Sequence, residues 1–173
     1  MKIAVIGYTG TILYYVALLF DLDQWTTAII ILFLIDRLFK VLVVNYLKGT
    51  VTLIPNFLSL VYVKNIGAAF SLMEGKTTLL AIFSLLAFLV IYKELISKKN
   101  ETLLNISYIM ILGGILGNFY DRLVLNYVID YISVIIFNYH FPIFNFADML
   151  IVIGVLLLIY ELWKGEKNEV RNK

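Results

Sequence analysis

Four runs of mostly apolar residues, 26–47, 77–97, 102–123 and 142–163, constrain this chain more than any other feature. Each is long enough to cross the bilayer's hydrocarbon core, which takes roughly 20 residues of helix. The composition leaves no soluble alternative. The 173 residues are 62% hydrophobic and 15% charged, whereas a soluble domain is roughly half apolar and a quarter charged. A chain this short would leave too much apolar surface in water, so it reads as an integral membrane protein of one domain. The net charge of +2 gives no basis for a nucleic-acid partner. Cysteine is absent, which excludes disulfides, thiol catalysis and cysteine-held clusters, and leaves no thiol for lipid attachment.

Between and before these runs the chain changes character. Residues 3–20 are apolar but broken by Gly7, Thr9, Gly10 and Thr11. They could span or lie along the surface, and no small-residue cleavage site marks them as a signal peptide. DLDQW (21–25) is a polar break. Within 26–47, Asp36 and Lys40 stand four apart on one helix face and can pair, either as a structural lock or beside an active site. Residues 48–74 hold Pro55, short β-branched and aromatic alternations and then NIGAAF, and read as short strands outside the bilayer. Gly113 and Gly117 form a GxxxG on which a neighbouring helix can close. Residues 124–141 are too interrupted by Asn126, Asp130, Asn138 and His140 to span, and read as an interfacial helix or loop. Lys93, Lys98 and Lys99 flank one end of the helices, and the tail 164–173 adds Lys164, Lys167, Arg171 and Lys173 on the same side. That side is therefore cytoplasmic, and 48–76 and 124–141 lie outside.

The chemistry gathers between Asn118 and Asp148. This stretch holds three of the six aspartates, Arg122 and the only histidine, His140. The six glutamates fall in polar turns or at the ends of apolar runs. Asp36, Asp121, Asp130 and Asp148 lie in or against apolar sequence, where an acid is costly to keep and hence a functional candidate. Two carboxylates held together share a proton and can work as general base and general acid. The same residues could equally form a proton or cation relay, or serve as structural partners of Arg122 and Lys40. No spacing ties His140 to any serine, and the ligands of a metal site are missing, so neither a Ser–His site nor a metal is expected.

DRLFK (36–40), NIGAAF (65–70), GGILGNFYDRL (113–123), VIDYI (128–132) and FPIFNFADMLIVIG (141–154) stand in this order along the chain. Together they resemble the successive signature blocks of lipoprotein signal peptidases, the type II signal peptidases of bacteria. The resemblance covers about residues 26–163, with 1–25 as an extra hydrophobic segment and 164–173 as a cytoplasmic tail. It implies an all-α polytopic protein of the inner membrane: a four-transmembrane-helix bundle with a small extracytoplasmic β-element at 48–74 and an extracytoplasmic helix or loop. It further implies an aspartic endopeptidase without a cofactor, which cleaves prolipoproteins before their diacylglyceryl-modified cysteine. Asp130 and Asp148 match the catalytic pair. Asn65, Gly67, Asn118, Arg122, Asn145 and Ala147 match positions that line or brace the site, and Asp36 and Lys40 match the first-helix pair. Its partners would be the prolipoprotein, membrane lipids and globomycin-type cyclic peptides, with the chain acting as a monomer. Arg37 departs from the family, which more often has Gln there, and the segment 3–20 lies outside the four-span pattern.

Overall fold

The computed structural model describes residues 23–67, 75–97 and 102–171, with side chains to 165. The hydrophobic segment 3–20 and the second half of NIGAAF lie outside the described residues.

Asp23 caps the start of a helix. The Asp23 carboxylate accepts from the backbone N–H groups of Trp25 (2.8 Å) and Thr26 (3.1 Å), which satisfies donors that the first turn leaves orphaned. Helix α1 then runs Gln24–Tyr46. Strands β1 (Val51–Ile54) and β2 (Leu58–Asn65) form a hairpin, followed by α2 (Thr77–Ser97) and α3 (Thr102–Leu125). Asn126, at φ +63°, ends α3 in a left-handed turn, its N–H donating to the Arg122 carbonyl at 3.2 Å. Strand β3 (Val128–Ile136), β4 (Tyr139–His140) and α4 (Phe146–Arg171) complete the chain.

The segment 124–141 is therefore not the helix or loop expected from sequence. It is mostly strand, and the fold is a helical bundle carrying a four-stranded antiparallel sheet, β1–β2–β3–β4. The physical reason lies in VIDYISVII, which is rich in β-branched residues. The free edge of β2 satisfies its backbone in the register Val63↔Asp130 and Asn65↔Val128. The last apolar run also starts later as helix than its hydropathy does. Residues 142–145 precede the helix, and Phe144 bridges to Ile132 before α4 begins.

Helix α3 is the hub, packed against α1, α2 and α4. Among the described residues three helices, Thr77–Ser97, Thr102–Leu125 and Phe146–Gly165, are long and apolar enough to cross a membrane. Helix α1 is of similar length but carries Asp36, Arg37 and Lys40 within it. The GxxxG expectation holds. A Cβ on Gly113 would meet the Leu32 side chain at 2.8 Å, and one on Gly117 would meet Asp36 Oδ2 at 2.6 Å, so α1 lies directly on this stripe. Gly114 does the same for α4, where a Cβ would collide with the Ala147 carbonyl oxygen. Far from the sheet, Ile29, Leu95, Leu104, Tyr108, Ile109 and Leu112 form the apolar core. The outward faces of α2 and α4 expose Phe83, Leu86, Leu89, Val152, Leu156 and Ile159, the surface a lipid-facing helix needs.

Candidate active site

The site is assembled where α4 begins. Asn145 is its N-cap: the Asn145 Oδ1 accepts from the Asp148 N–H (3.0 Å), and the Asp148 Oδ2 accepts from the Asn145 N–H (3.1 Å). This reciprocal pair is a capping box with aspartate in the glutamate's place, and it fixes both side chains. With its oxygen so occupied, the Asn145 amide nitrogen points away from the helix. It donates to Asp130 Oδ1 at 2.6 Å and to Asn118 Oδ1 at 3.1 Å. Asn145 thus ties Asp130, on β3, to Asp148, on α4.

The remaining carboxylate oxygens are also held. Asn65 lies two residues beyond Val63, which is paired with Asp130, so its side chain falls on the same face of the sheet. Its amide donates to Asp130 Oδ2 at 2.8 Å, while its oxygen accepts from the Gly67 N–H at 2.9 Å. Asn118, on α3, donates to Asp148 Oδ1 at 2.7 Å. Burial pushes the Asp130 carboxyl up to about 6; the Asp148 charge adds to this, and the Asn65 and Asn145 amides partly offset it.

Both acids line a cleft of about 640 Å³, together with Asn65, Gly67, Arg122 and His140. Arg122 Nη1 reaches the Asn118 carbonyl at 3.4 Å, and its buried Nε has no hydrogen-bond partner. Among the described residues Arg122 makes no ion pair within 4.0 Å, so it does not hold an acid directly. Ala147 does not line the cleft. It is fully buried against Gly114 and Gly117, where its small side chain lets α4 start close to α3. Among the described residues no group of three His, Cys, Asp or Glu could hold a metal.

Behind the site lies a buried ionic cluster. Lys40 Nζ contacts Asp36 Oδ2 (3.1 Å), Asp121 Oδ2 (2.8 Å) and Asn118 Oδ1 (3.1 Å). Arg37 bridges Asp121 Oδ1 (2.6 Å) and Asp36 Oδ2 (2.8 Å). The Asp36–Lys40 pair was legible from its spacing, but Arg37 and Asp121 were not singled out as members. One signal could have found Asp121: it stands four residues after Gly117, on the α3 face that meets α1. Tyr131 was also missed. Its hydroxyl accepts from the Phe146 N–H at 3.2 Å, supporting the start of α4, and burial pushes it up to about 12.

Fold and site define a class: a helical membrane protein with two buried carboxylates facing a cleft at the sheet end of its bundle. A family model described as signal peptidase (SPase) II matches residues 28–164. The lipoprotein signal peptidase of Alteromonas mediterranea is 36% identical over 162 residues, 90% of this chain and 82% of its own. That of Clostridium novyi is 37% identical over 138 residues, 77% of this chain and 93% of its own. Two solved structures described as bacterial membrane enzymes superpose with TM-scores of 0.77 and 0.72, both at 30% identity. They cover 84% and 80% of this chain, and 90% and 92% of their own. This chain belongs to the signal peptidase II family.

Proposed function

We propose that this protein is an aspartic endopeptidase that removes signal peptides from prolipoproteins, cutting before the diacylglyceryl-modified cysteine. The relatives named lipoprotein signal peptidase support the substrate. The observation that carries the mechanism is Asn145, which binds both Asp130 and Asp148 and so holds two carboxyls at one cleft.

The ionised carboxylate of the pair removes a proton from water, whose oxygen attacks the scissile carbonyl carbon, while the protonated one donates to the carbonyl oxygen. Collapse of the tetrahedral adduct breaks the C–N bond. The leaving nitrogen takes a proton from the pair and becomes the cysteine's new amino terminus, and the signal peptide leaves with a carboxyl group. Arg122, with its unpartnered Nε, binds peptide carbonyls, and Asn118 orients Asp148. The acyl chains stay in lipid, and the peptide enters laterally beneath the sheet that covers the cleft. Helix α1 is the fourth span of the bundle, in the cytoplasmic (inner) membrane with the cleft facing outward. The chain works as a monomer, and globomycin-type peptides occupy the same cleft.

A proton or cation relay is the weaker reading, because Asp36, the acid deepest in the helices, is already bound by Arg37 and Lys40. The test is a gel-shift cleavage assay on purified protein with a diacylglyceryl-modified prolipoprotein. Wild type is expected to cut, and Asp130→Asn and Asp148→Asn, still folded, are expected not to. Normal turnover by either variant would remove the dyad.

A further inference from the structure

The ionic cluster and the acid pair are joined at one atom, Asn118 Oδ1. An ammonium has three donors and no acceptor. Those of Lys40 have three partners: Asp36 Oδ2, Asp121 Oδ2 and Asn118 Oδ1. Lys40 is 0% exposed, closed off from bulk water. The Asn118 amide therefore meets Lys40 only through its oxygen, which also accepts from Asn145 Nδ2 at 3.1 Å, so Lys40 is one of two donors that turn its nitrogen the other way, toward Asp148 Oδ1 at 2.7 Å. Turned over, it would set N–H against the Lys40 ammonium and a carbonyl oxygen against a carboxylate.

Arg37 is what leaves Lys40 free for this. Asp36 and Asp121 bring two negative charges into the cluster, and Arg37 takes an oxygen of each, at 2.8 and 2.6 Å. Its guanidinium is held over the Tyr120 ring at 4.8 Å. With Arg37 and Lys40 both present the cluster is neutral, so one Lys40 proton can serve an uncharged amide. Asp121 adds a second link, because its Oδ2 accepts from the Ile129 N–H (3.2 Å), one residue before Asp130.

We propose that Lys40 is a positioning residue for the reaction, and that it acts on Asp148 by fixing the amide orientation of Asn118. The proposal rests on the peptidase reading above. Lys40 hydrogen-bonds to neither acid of the pair; its charge also acts on both acids across space, and the two uncharged replacements compared below lose that charge equally, which isolates the path through Asn118. The consequence is kinetic. Substrate still binds in the cleft, but the carboxylate on α4 loses a directed donor, so the effect falls on kcat and spares KM.

The test compares two charge-balanced pairs. Asp36→Asn with Lys40→Met removes the donor, and Asp36→Asn with Lys40→Gln keeps an uncharged one. Both leave the Arg37–Asp121 bridge intact. The Met pair is expected to lose about ten-fold in kcat, the scale of one hydrogen bond to a charged group, with KM within about two-fold. The Gln pair should recover most of that loss. In an Asn118→Ala background the two pairs should have equal kcat, because the path runs through Asn118. Equal kcat in the native-Asn118 background, or a Met–Gln difference that persists without Asn118, would overturn the proposal. If neither pair folds, Asn118→Asp decides with Asp36, Arg37, Lys40 and Asp121 all kept. It should be poorly active at neutral pH and partly recover in acid, where a protonated side chain at 118 can again donate to Asp148. Wild-type activity at neutral pH would overturn the proposal. Wild type and Asp148→Asn run alongside separate the two failures: if wild type does not cut, it is the peptidase reading that falls.

Discussion

Asp130 is only 2% exposed, and its carboxyl titrates at about 6, roughly two units above an ordinary aspartate. The sign follows from which state holds the proton. Between about pH 4 and 6 the folded chain binds a proton that the unfolded chain has released. This residue's contribution to stability is thus fully present below pH 4 and is lost as pH rises through 6. Two units correspond to about 3 kcal/mol at most. The thermal midpoint of detergent-solubilised wild type should therefore fall from pH 4.5 to 7.5 relative to Asp130→Asn. Other acids titrate in both proteins, so the difference between the two curves carries the result, and parallel curves would contradict the shift. Asp130 and Asp148 were legible in the sequence because acids beside apolar runs are conspicuous. Asn65 was not, on chemistry alone. It reads as a loop residue until the β2–β3 register brings it to a partner 65 positions away, and only the family resemblance marked it.

At the scale of elements, the helices were legible because their length and hydropathy are local properties. Strand β3 was not, because its assignment depends on a partner. Read alone, 124–141 is an apolar run spoiled by polar residues. Opposite β2 it is a strand whose Val128 and Asp130 line the cleft, while Ile129 and Tyr131, which alternate with them, are buried outside its lining. The hub role of α3 was half legible. GxxxG announced Gly113 and Gly117, but Gly114, on the adjacent face, is the glycine against which α4 starts. Its missing Cβ lets the Ala147 carbonyl approach, and Ala147 stands between Asn145 and Asp148 in the capping turn. Gly114→Ala must move that turn or distort it, at a cost of about 1–3 kcal/mol for overpacking. The expected result is a lower thermal midpoint together with a fall in kcat larger than that of Gly165→Ala, where a Cβ meets nothing within 4 Å. Equal effects of the two substitutions would mean that the α3–α4 contact does not set the geometry of the acid pair.

For the molecule as a whole, the open question in the architecture is α1. Its Asp36, Arg37 and Lys40 keep it from standing out as a span by hydropathy, yet their charges, with that of Asp121 from α3, sum to zero inside the protein. Charge that is paired within a bundle faces protein and not lipid, so the usual penalty for an ion in the membrane does not bar α1 from crossing. The 23 residues of Gln24–Tyr46 give a length of about 35 Å, enough for the hydrocarbon core. The absence of cysteine makes a direct test possible, since any introduced thiol is the only one present. Gln24→Cys, Lys48→Cys and Lys164→Cys place single thiols at exposed positions at the start of α1, just beyond its end and near the end of α4. If α1 and α4 both span and the sheet faces outward, a membrane-impermeant maleimide should label position 48 in intact cells. Positions 24 and 164 should react only after permeabilisation. Labelling of 24 and 48 from the same side would make α1 a surface helix. The Arg37–Lys40 cluster would then lie at the interface, where water competes for its ion pairs, and the neutrality that frees Lys40 for Asn118 would no longer be required.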